Sequence, residues 1–188
     1  MKKTLLGIIL SITFFTTPIF AFFGNDSKDS SITSSRIGII DIIKINEKSK
    51  VMISLNKQKD VQLANLQKEV NEKRKDFEKK EEELKAKQSL MDKEAFIKEI
   101  QSFQKEVMTY DKQTEQKVAS VEKAYIEALK TIQNDYLNRI VKKIGMEKGF
   151  GLVINAQTAI ILDKSLDITT DVIDMLNEEV TEIELKVK

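Results

Sequence analysis

The 188-residue sequence contains no cysteine and no histidine, and it has only one proline and six glycines. Without cysteine the chain can form no disulfide, no thiolate metal site and no thiol nucleophile. Without histidine it lacks the commonest general base and the commonest imidazole metal ligand. The sequence therefore predicts a protein that is not an enzyme and needs no cofactor or metal.

The chain also lacks an excess of charge of either sign. It has 31 basic and 30 acidic residues, and loss of two lysines in the first 21 residues would leave 29 basic against 30 acidic. Proteins that bind nucleic acid usually carry a basic excess that neutralises phosphates. This balance argues against nucleic acid as a partner.

The first 21 residues have the order of a secretory signal peptide. Two lysines precede an apolar run from Leu5 to Phe15, and Ala21 supplies a small residue at the cleavage site. The alternative is a retained membrane anchor, because Leu5 to Phe23 approaches the length of a spanning helix. Pro18 interrupts that stretch, so we expect export and cleavage after Ala21.

The next segment, residues 22–35, is polar and rich in serine, which is typical of a flexible extension. Residues 36–48 begin with RIGIIDI, a β-branched run from Arg36 to Ile42. Such a run predicts a short buried strand. We therefore expect this segment to hold a strand and the start of an arm.

Residues 49–147 predict an antiparallel helical hairpin, which we call the arm. Lysines 73, 80 and 87 interrupt the apolar stripe of its first helix, so the stripe is a thin coiled-coil seam. At 1.5 Å per residue the two helices would measure roughly 55 and 80 Å. The apolar residues of the seam are Leu63, Leu66, Val70, Phe77, Leu84, Phe96, Ile100, Phe103, Val107 and Tyr110.

The two ends of the arm differ in composition. Residues 89–92 break the periodicity, and either Ser89 or Asp92 could cap the second helix, which predicts the turn at the tip. The stretch from Asn71 to Glu83 is dominated by charge, as expected of a solvated face. After Tyr125 the apolar stripe broadens. The tip therefore lies in water and the other end is buried in a body.

The segment after the arm switches to shorter elements. Gly149 is placed to adopt a left-handed conformation at the end of the helix. The apolar runs Phe150–Asn155 and Thr158–Leu162 predict two strands of a hairpin. Asp167 or Thr169 then caps a short helix.

The resulting fold class is α+β and predominantly α, with a long helical hairpin projecting from a small β-barrel body formed by oligomerisation. The body segments 36–48 and 148–188 bury too little apolar surface to be stable alone. A barrel shared between copies leaves no unpaired strand edge. The strand residues predicted at the oligomer interface are Ile37, Ile39, Ile40, Leu152, Ile154, Ile160 and Leu162.

Three stretches flank the charged hairpin: RIGIIDI precedes it at Arg36–Ile42, and EKGFGLVINAQTAIIL at Glu147–Leu162 and LDITTDVIDMLN at Leu166–Asn177 follow it. These stretches and their order resemble the Skp/OmpH family of periplasmic chaperones. The resemblance covers most of the chain after residue 35. It implies a periplasmic homotrimer with helical tentacles that enclose a cavity, and a holdase activity toward unfolded outer-membrane proteins without ATP.

The resemblance also implies partners. These are unfolded outer-membrane proteins and other copies of the chain, at a location near a membrane surface. The ten seam residues would contact the client or merely zip the two helices together. The best-known members are strongly basic, whereas Asn56–Lys117 here holds 15 basic and 14 acidic residues. The resemblance therefore does not lead us to expect lipopolysaccharide as a ligand of this chain.

A second interpretation belongs to a different class of function. The hairpin could be a coiled-coil structural or adaptor protein that links components of the cell envelope through its tip. The charged run from Lys79 to Glu83 is interpreted as a solvated helix face under either hypothesis.

Overall fold

A computed structural model describes residues 36–188. The predicted signal peptide with its cleavage site and the predicted extension at 22–35 lie outside the described residues. Within residues 36–188, none of the helices combines the length and the apolar character that crossing a bilayer requires.

The described chain is predominantly helical, with long helices and one two-stranded sheet. In chain order its elements are β1 (Arg36–Ile40), α1 (Ile42–Lys48), α2 (Lys50–Lys87), α3 (Lys93–Thr131), a π-helical segment (Ile132–Leu137), α4 (Asn138–Glu147), β2 (Phe150–Asn155), two 3₁₀ turns (Ala156–Thr158 and Lys164–Leu166) and α5 (Thr169–Glu179). Helices α2 and α3 pack against each other over the arm.

The turn at the tip begins α3 with an acidic cap. The Asp92 carboxylate accepts hydrogen bonds from the backbone N–H groups of Glu94 and Ala95, at 3.0 and 3.3 Å. These donors have no partner within the helix itself, so the carboxylate satisfies them and complements the helix dipole. This bears out Asp92, rather than Ser89, as the cap.

A short helix separates β1 from the arm, where the sequence predicts only the start of the arm. The Asp41 carboxylate accepts a hydrogen bond of 3.1 Å from the Lys44 N–H, which ends β1 and begins α1. Ser49 is extended and separates α1 from α2. The arm therefore begins at Lys50, and α1 packs on α5 and the first turns of α2.

The sheet differs from the predicted hairpin. β2 pairs with β1 in parallel, with Ile37 opposite Leu152 and Ile39 opposite Ile154. The segment Thr158–Leu162 forms no strand within the described chain: after β2 the Asn155 carboxamide accepts a hydrogen bond from the Gln157 N–H and starts a 3₁₀ turn. Ala-Gln cannot readily adopt the positive φ angles of a two-residue hairpin, so the chain leaves the sheet here.

The core lies at the base of the arm, where α1, the start of α2, α4 and α5 meet β2. Its most deeply buried side chains are Ile45, Val51, Leu55, Ile140, Ile168, Val172 and Leu176. The Thr169 hydroxyl joins two parts of this base, because it accepts a hydrogen bond of 2.9 Å from the Asp41 N–H. The Asp167 carboxylate in turn accepts from the Thr169 N–H at 2.8 Å. The N-cap residue of α5 is Ile168, which makes no side-chain cap hydrogen bond, so the predicted cap by Asp167 or Thr169 is wrong.

The π-helical segment keeps the broad apolar stripe on one face. Ala128, Ile132, Ile140 and Ile144 are buried and Tyr136 is half-buried, and these residues are spaced by multiples of four. In a regular α-helix side chains four apart drift steadily around the axis. A π turn holds more residues, so it offsets the drift. The stripe therefore stays in contact with the core up to Gly149, whose φ of 71° confirms the predicted left-handed helix end.

Candidate functional site

The ten predicted seam residues lie between exposure and burial. Leu84 near the tip is 5% exposed, and the other nine are half-buried. Leu63 and Leu66 pack against the core at the base of the arm. The seam residues therefore offer only part of their apolar surface to a second molecule, and their role in client binding stays a prediction.

Three aromatic rings hold the middle of the arm together. The Phe77 ring of α2 lies with its centroid 5.8 Å from that of Phe103 and 5.7 Å from that of Tyr110. The interplanar angles of 76° and 81° are edge-to-face arrangements, which the ring quadrupoles favour. Phe77 thus contacts two rings of α3 that are spaced by seven residues. This geometry favours the interpretation that these residues zip the helices.

The lysines that interrupt the seam have acidic partners on α3. Lys73 and Lys80 both contact the Glu106 carboxylate, and Lys87 lies 3.7 Å from that of Glu99. The hydrogen bond from Lys80, with a second from Lys73, lowers the pKa of Glu106. The ion pairs of Glu106 therefore stabilise the folded state above the ordinary pKa of a glutamate. This stabilisation is lost as the pH falls through the lowered pKa of Glu106. The exposure of these groups keeps that stabilisation small.

Glu99 and Glu106 are spaced by seven residues, as are the lysines that interrupt the seam. This matching spacing predicts the ion pairs, whereas the apolar positions alone do not. The same lysines also cover aromatic rings. The Lys73 ammonium lies 4.7 Å from the centroid of Phe77, and that of Lys80 lies 5.9 Å from the centroid of Phe103. The lysines are therefore part of the seam rather than gaps in it.

Two tyrosines of α3 differ in what their hydroxyls contact. The Tyr125 hydroxyl donates a hydrogen bond of 2.6 Å to the Asn56 carboxamide, whereas the buried Tyr110 hydroxyl has no partner among the side chains and backbone of residues 36–188. We expect Tyr125→Phe to lower the free energy of unfolding by about 0.5–1.5 kcal/mol, and Tyr110→Phe to leave it unchanged or raise it. Urea unfolding of the two matched variants measures both. A larger loss for Tyr110→Phe would contradict the assignment.

The most exposed apolar side chains of the arm are not among the ten predicted seam residues. Beyond the seam, the large apolar side chains of the arm with substantial exposure are Ile53, Val61, Leu90, Ile97, Met108, Ile126 and Met146, of which Leu90, Met108 and Met146 are 84%, 72% and 70% exposed. Ile53 and Val61 line one shallow groove on α2 with Lys57 and Asp60, whereas Leu90 lies in the tip turn. None of these residues is among the predicted client-binding set, because they lie off the seven-residue stripe.

The predicted interface residues also fall into distinct environments. Ile37 and Leu152 are exposed and lie opposite each other in the sheet, while Ile40 and Ile154 are half-buried. Ile160 and its neighbour Ile161 are almost fully exposed, and Leu162 is partly exposed. Ile39 is only 4% exposed within the single chain. Ile39 therefore belongs to the protomer's own core, which removes it from the surface that another copy could contact.

The segment after α5, residues 181–188, runs beside Gln58 at the base of the arm; we call it the tail. Its Val187 N–H donates to the Leu185 carbonyl at 3.1 Å, so the chain turns at Lys186. The Gln58 side chain of α2 binds the tail through both the nitrogen and the oxygen of its amide group. Its Nε2 donates to the Ile183 carbonyl and its Oε1 accepts from the Leu185 N–H, both at 2.9 Å. Leu185 is buried and Ile183 packs against the core.

Beyond Gln58 the groove between α2 and α3 continues past the tail. An open volume of about 470 Å³ is lined by Leu66, Val121 and the ends of Gln62, Gln113 and Gln116, with Val187 of the tail at one side. Lys117, Ser120 and Lys188 also line this volume, so it combines apolar groups and uncharged amides with two cationic side chains. Within residues 36–188, no three acidic side chains come together in a way that could hold a metal ion.

Comparison with known proteins bears directly on this architecture. The sequence profile of the family described as outer membrane protein (OmpH-like) matches residues 36–176, most of the chain. The chain belongs to the OmpH-like family. This confirms the family to which the sequence resemblance points. The match ends within α5, so the tail of this OmpH-like protein lies outside it.

A solved structure shares the fold of this OmpH-like chain. It is the crystal structure of a protein from Caulobacter crescentus described as a candidate outer membrane chaperone (OmpH-like), with a TM-score of 0.73 and 13% sequence identity. The aligned region covers 87% of this chain and 95% of that one. No curated protein sequence matches the chain. At this identity the likeness establishes the helical-hairpin fold.

Proposed function

We propose that this OmpH-like protein is an ATP-independent holdase of the periplasm that binds unfolded outer-membrane proteins and prevents their aggregation. The observation that carries the proposal is membership of the OmpH-like family over residues 36–176, together with an arm that presents exposed apolar side chains on a charged surface. The chaperone named for the structural neighbour agrees with this function.

The surface of the arm suits many weak contacts rather than one strong site. Each exposed apolar group, such as Val61 or Met108, can bury a little of its area against an unfolded chain. Individually weak contacts that act together raise the overall affinity through effective concentration. The charged surface of the arm keeps it in water between clients. Because each apolar contact is weak and reversible, release of a client needs no chemical step and no nucleotide.

We propose further that several copies share the base to form a β-barrel, with a homotrimer as the family implies. A two-stranded sheet is marginal by itself and presents free backbone groups at its edges. Ile37 and Leu152 leave the β1–β2 sheet with apolar surface exposed, as expected of a sheet face that another copy covers. The arms would then project from one base and surround a client.

Aggregation of a urea-unfolded β-barrel membrane protein tests the holdase. We expect stoichiometric protein to abolish most light scattering after dilution of the client, with no dependence on ATP, because apolar contact alone supplies the binding. A variant with Val61→Ser, Ile97→Ser and Met108→Ser should suppress markedly less. A variant with charge-preserving Lys79→Arg and Glu82→Asp changes is the control. Unchanged aggregation in the presence of wild-type protein would reject the holdase.

An adaptor that links envelope components through the tip is the second candidate, and the exposure of Leu90 favours it. A single apolar residue that is 84% exposed at a helix turn can anchor a folded partner. A photocrosslinker at Leu90 would then capture one protein at fixed stoichiometry. A holdase instead gives many unfolded clients from positions along α2 and α3, such as Val61 and Met108.

A further inference from the structure

The tail has the sequence pattern of an isolated β-strand. Residues 181–188 read TEIELKVK, in which Ile183, Leu185 and Val187 alternate with charged residues. The tail turns the first two of these toward the arm and leaves Glu184 and Lys186 exposed. Strict alternation of this kind specifies one apolar face and one polar face of an extended chain.

The Gln58 amide pairs with the tail as a strand residue would. In a parallel sheet, one residue accepts from and donates to backbone groups that are two residues apart on the neighbouring strand. The Gln58 side chain does the same with the Ile183 carbonyl and the Leu185 N–H. These contacts involve only backbone atoms of the tail, so any extended segment could make them.

The groove also extends beyond the part that the tail fills. The volume bordered by Val187 continues between α2 and α3 over Leu66 and Val121, with Gln62 and Gln113 at its sides. Apolar residues can receive alternate side chains of a strand, and the amides can pair with its backbone without reading sequence. The volume beside Val187 therefore has room for further residues of an extended segment.

We propose that the groove between α2 and α3 at the base of the arm is a binding site for extended segments with alternating apolar and polar residues, and that the tail is its intramolecular occupant. The site rests on the proposed holdase function for its biological ligand, because the transmembrane strands of outer-membrane barrels have this alternation. A client strand occupies the groove when the tail leaves it.

The tail then sets how tightly a client is held there. A segment joined to the site by a short connection competes at an effective concentration on the order of millimolar. A free strand at micromolar concentration therefore binds the groove poorly until the tail is displaced. Only a client that also engages other parts of the arm gains enough from these contacts to compete.

Binding of a fluorescein-labelled peptide, TEIELKVK, to the full-length protein tests the site. In an Ile183→Ser/Leu185→Ser variant the tail loses its anchors, and we expect it to bind the peptide at least about tenfold more tightly than wild type does. Glu184→Ser, which changes an exposed tail residue, is the matched control and should bind like wild type. Equal affinity of wild type and the double variant would overturn the tail as occupant.

Two further probes test how the groove recognises its ligand. A peptide of the same composition with its apolar residues adjacent should bind the double variant at least about tenfold more weakly, and an unrelated peptide with strict alternation should bind about as well as TEIELKVK. Adding Gln58→Ala to the double variant should weaken binding by about fivefold or more. Equal binding of the permuted peptide would overturn recognition of an extended strand.

Hydrogen exchange tests the contact between Gln58 and the tail in a protein whose tail residues are unchanged. The result therefore does not depend on whether the double variant folds. In the full-length protein, Gln58→Ala should speed exchange of the Leu185 amide without changing that of Leu176 in α5. An unchanged Leu185 rate would contradict the Gln58 contact.

The aggregation assay separates this site from the holdase itself. If wild type suppresses aggregation but no variant binds peptide, the groove is overturned and the holdase stands. If the double variant binds peptide but neither protein suppresses aggregation, the groove stands and the holdase falls. We expect the double variant to bind peptide and to suppress aggregation at a lower ratio of protein to client than wild type does.

Discussion

Replacing Leu176 with alanine is expected to lower the free energy of unfolding by about 2–5 kcal/mol. The Leu176 side chain is fully buried in α5, and its loss leaves a cavity among the core residues around it. A folded domain has a total stability of about 5–15 kcal/mol, so this one change removes a large share of it. Urea unfolding followed by far-ultraviolet circular dichroism, at one fixed protein concentration, measures the loss.

Leu90→Ala is the matched control for this experiment. The same side chain is removed, but Leu90 is 84% exposed at the tip turn, so we expect a change within about 0.5 kcal/mol. A similar loss in both variants would mean that the base does not hold the stability of the protein. The contrast follows from the fold, because the distal arm has one thin seam while the base has the core.

The arm is the part of the fold that the sequence predicts well. Its helices depend on contacts between residues three, four and seven apart, and such periodicity is visible in the letters alone. The turn at the tip and the helix end after Glu147 also depend on local chemistry, namely the Asp92 carboxylate and the freedom of Gly149 to take positive φ. Local interactions of this kind leave local signals.

The sheet could not be predicted in the same way. β1 and β2 are separated in sequence by the whole arm, and their parallel pairing depends on how α4 returns the chain to the base. The prediction instead joined two neighbouring apolar runs into a hairpin, since adjacent strands usually pair. The run Thr158–Leu162 has the residue types of a strand, but it pairs with no other strand within residues 36–188.

The candidate site was predicted only in part for a related reason. The seven-residue spacing identifies the seam, but it does not show that Glu106 pairs with Lys73 and Lys80 across it. Nor does it identify the tail, because a single extended segment without a strand partner is recognisable only once Gln58 is seen to hold it. Contacts between distant parts of the chain decide both features.

Substitution of Ile160 and Ile161 by aspartate is expected to break the proposed oligomer into smaller species. Both side chains are almost fully exposed in the single chain, in the segment that follows β2 and its 3₁₀ turn. Adjacent exposed isoleucines are costly in water unless another molecule covers them, at about 25 cal/mol per Å² of apolar area. Two carboxylates there would have to be buried without partners when copies associate.

Light scattering coupled to size-exclusion chromatography measures the outcome. We expect wild type to elute as an oligomer at micromolar concentration and Ile160→Asp/Ile161→Asp to dissociate with a constant at least about a hundredfold higher, since each buried carboxylate costs several kcal/mol. Met108→Asp, at a position on the arm that is 72% exposed, is the control and should keep the wild-type mass. An oligomer that survives both isoleucine changes would place its interface elsewhere, whereas a stable wild-type monomer would reject the shared barrel. If the double variant is a folded monomer that no longer suppresses aggregation, the arms act on a client only when a common base holds them together.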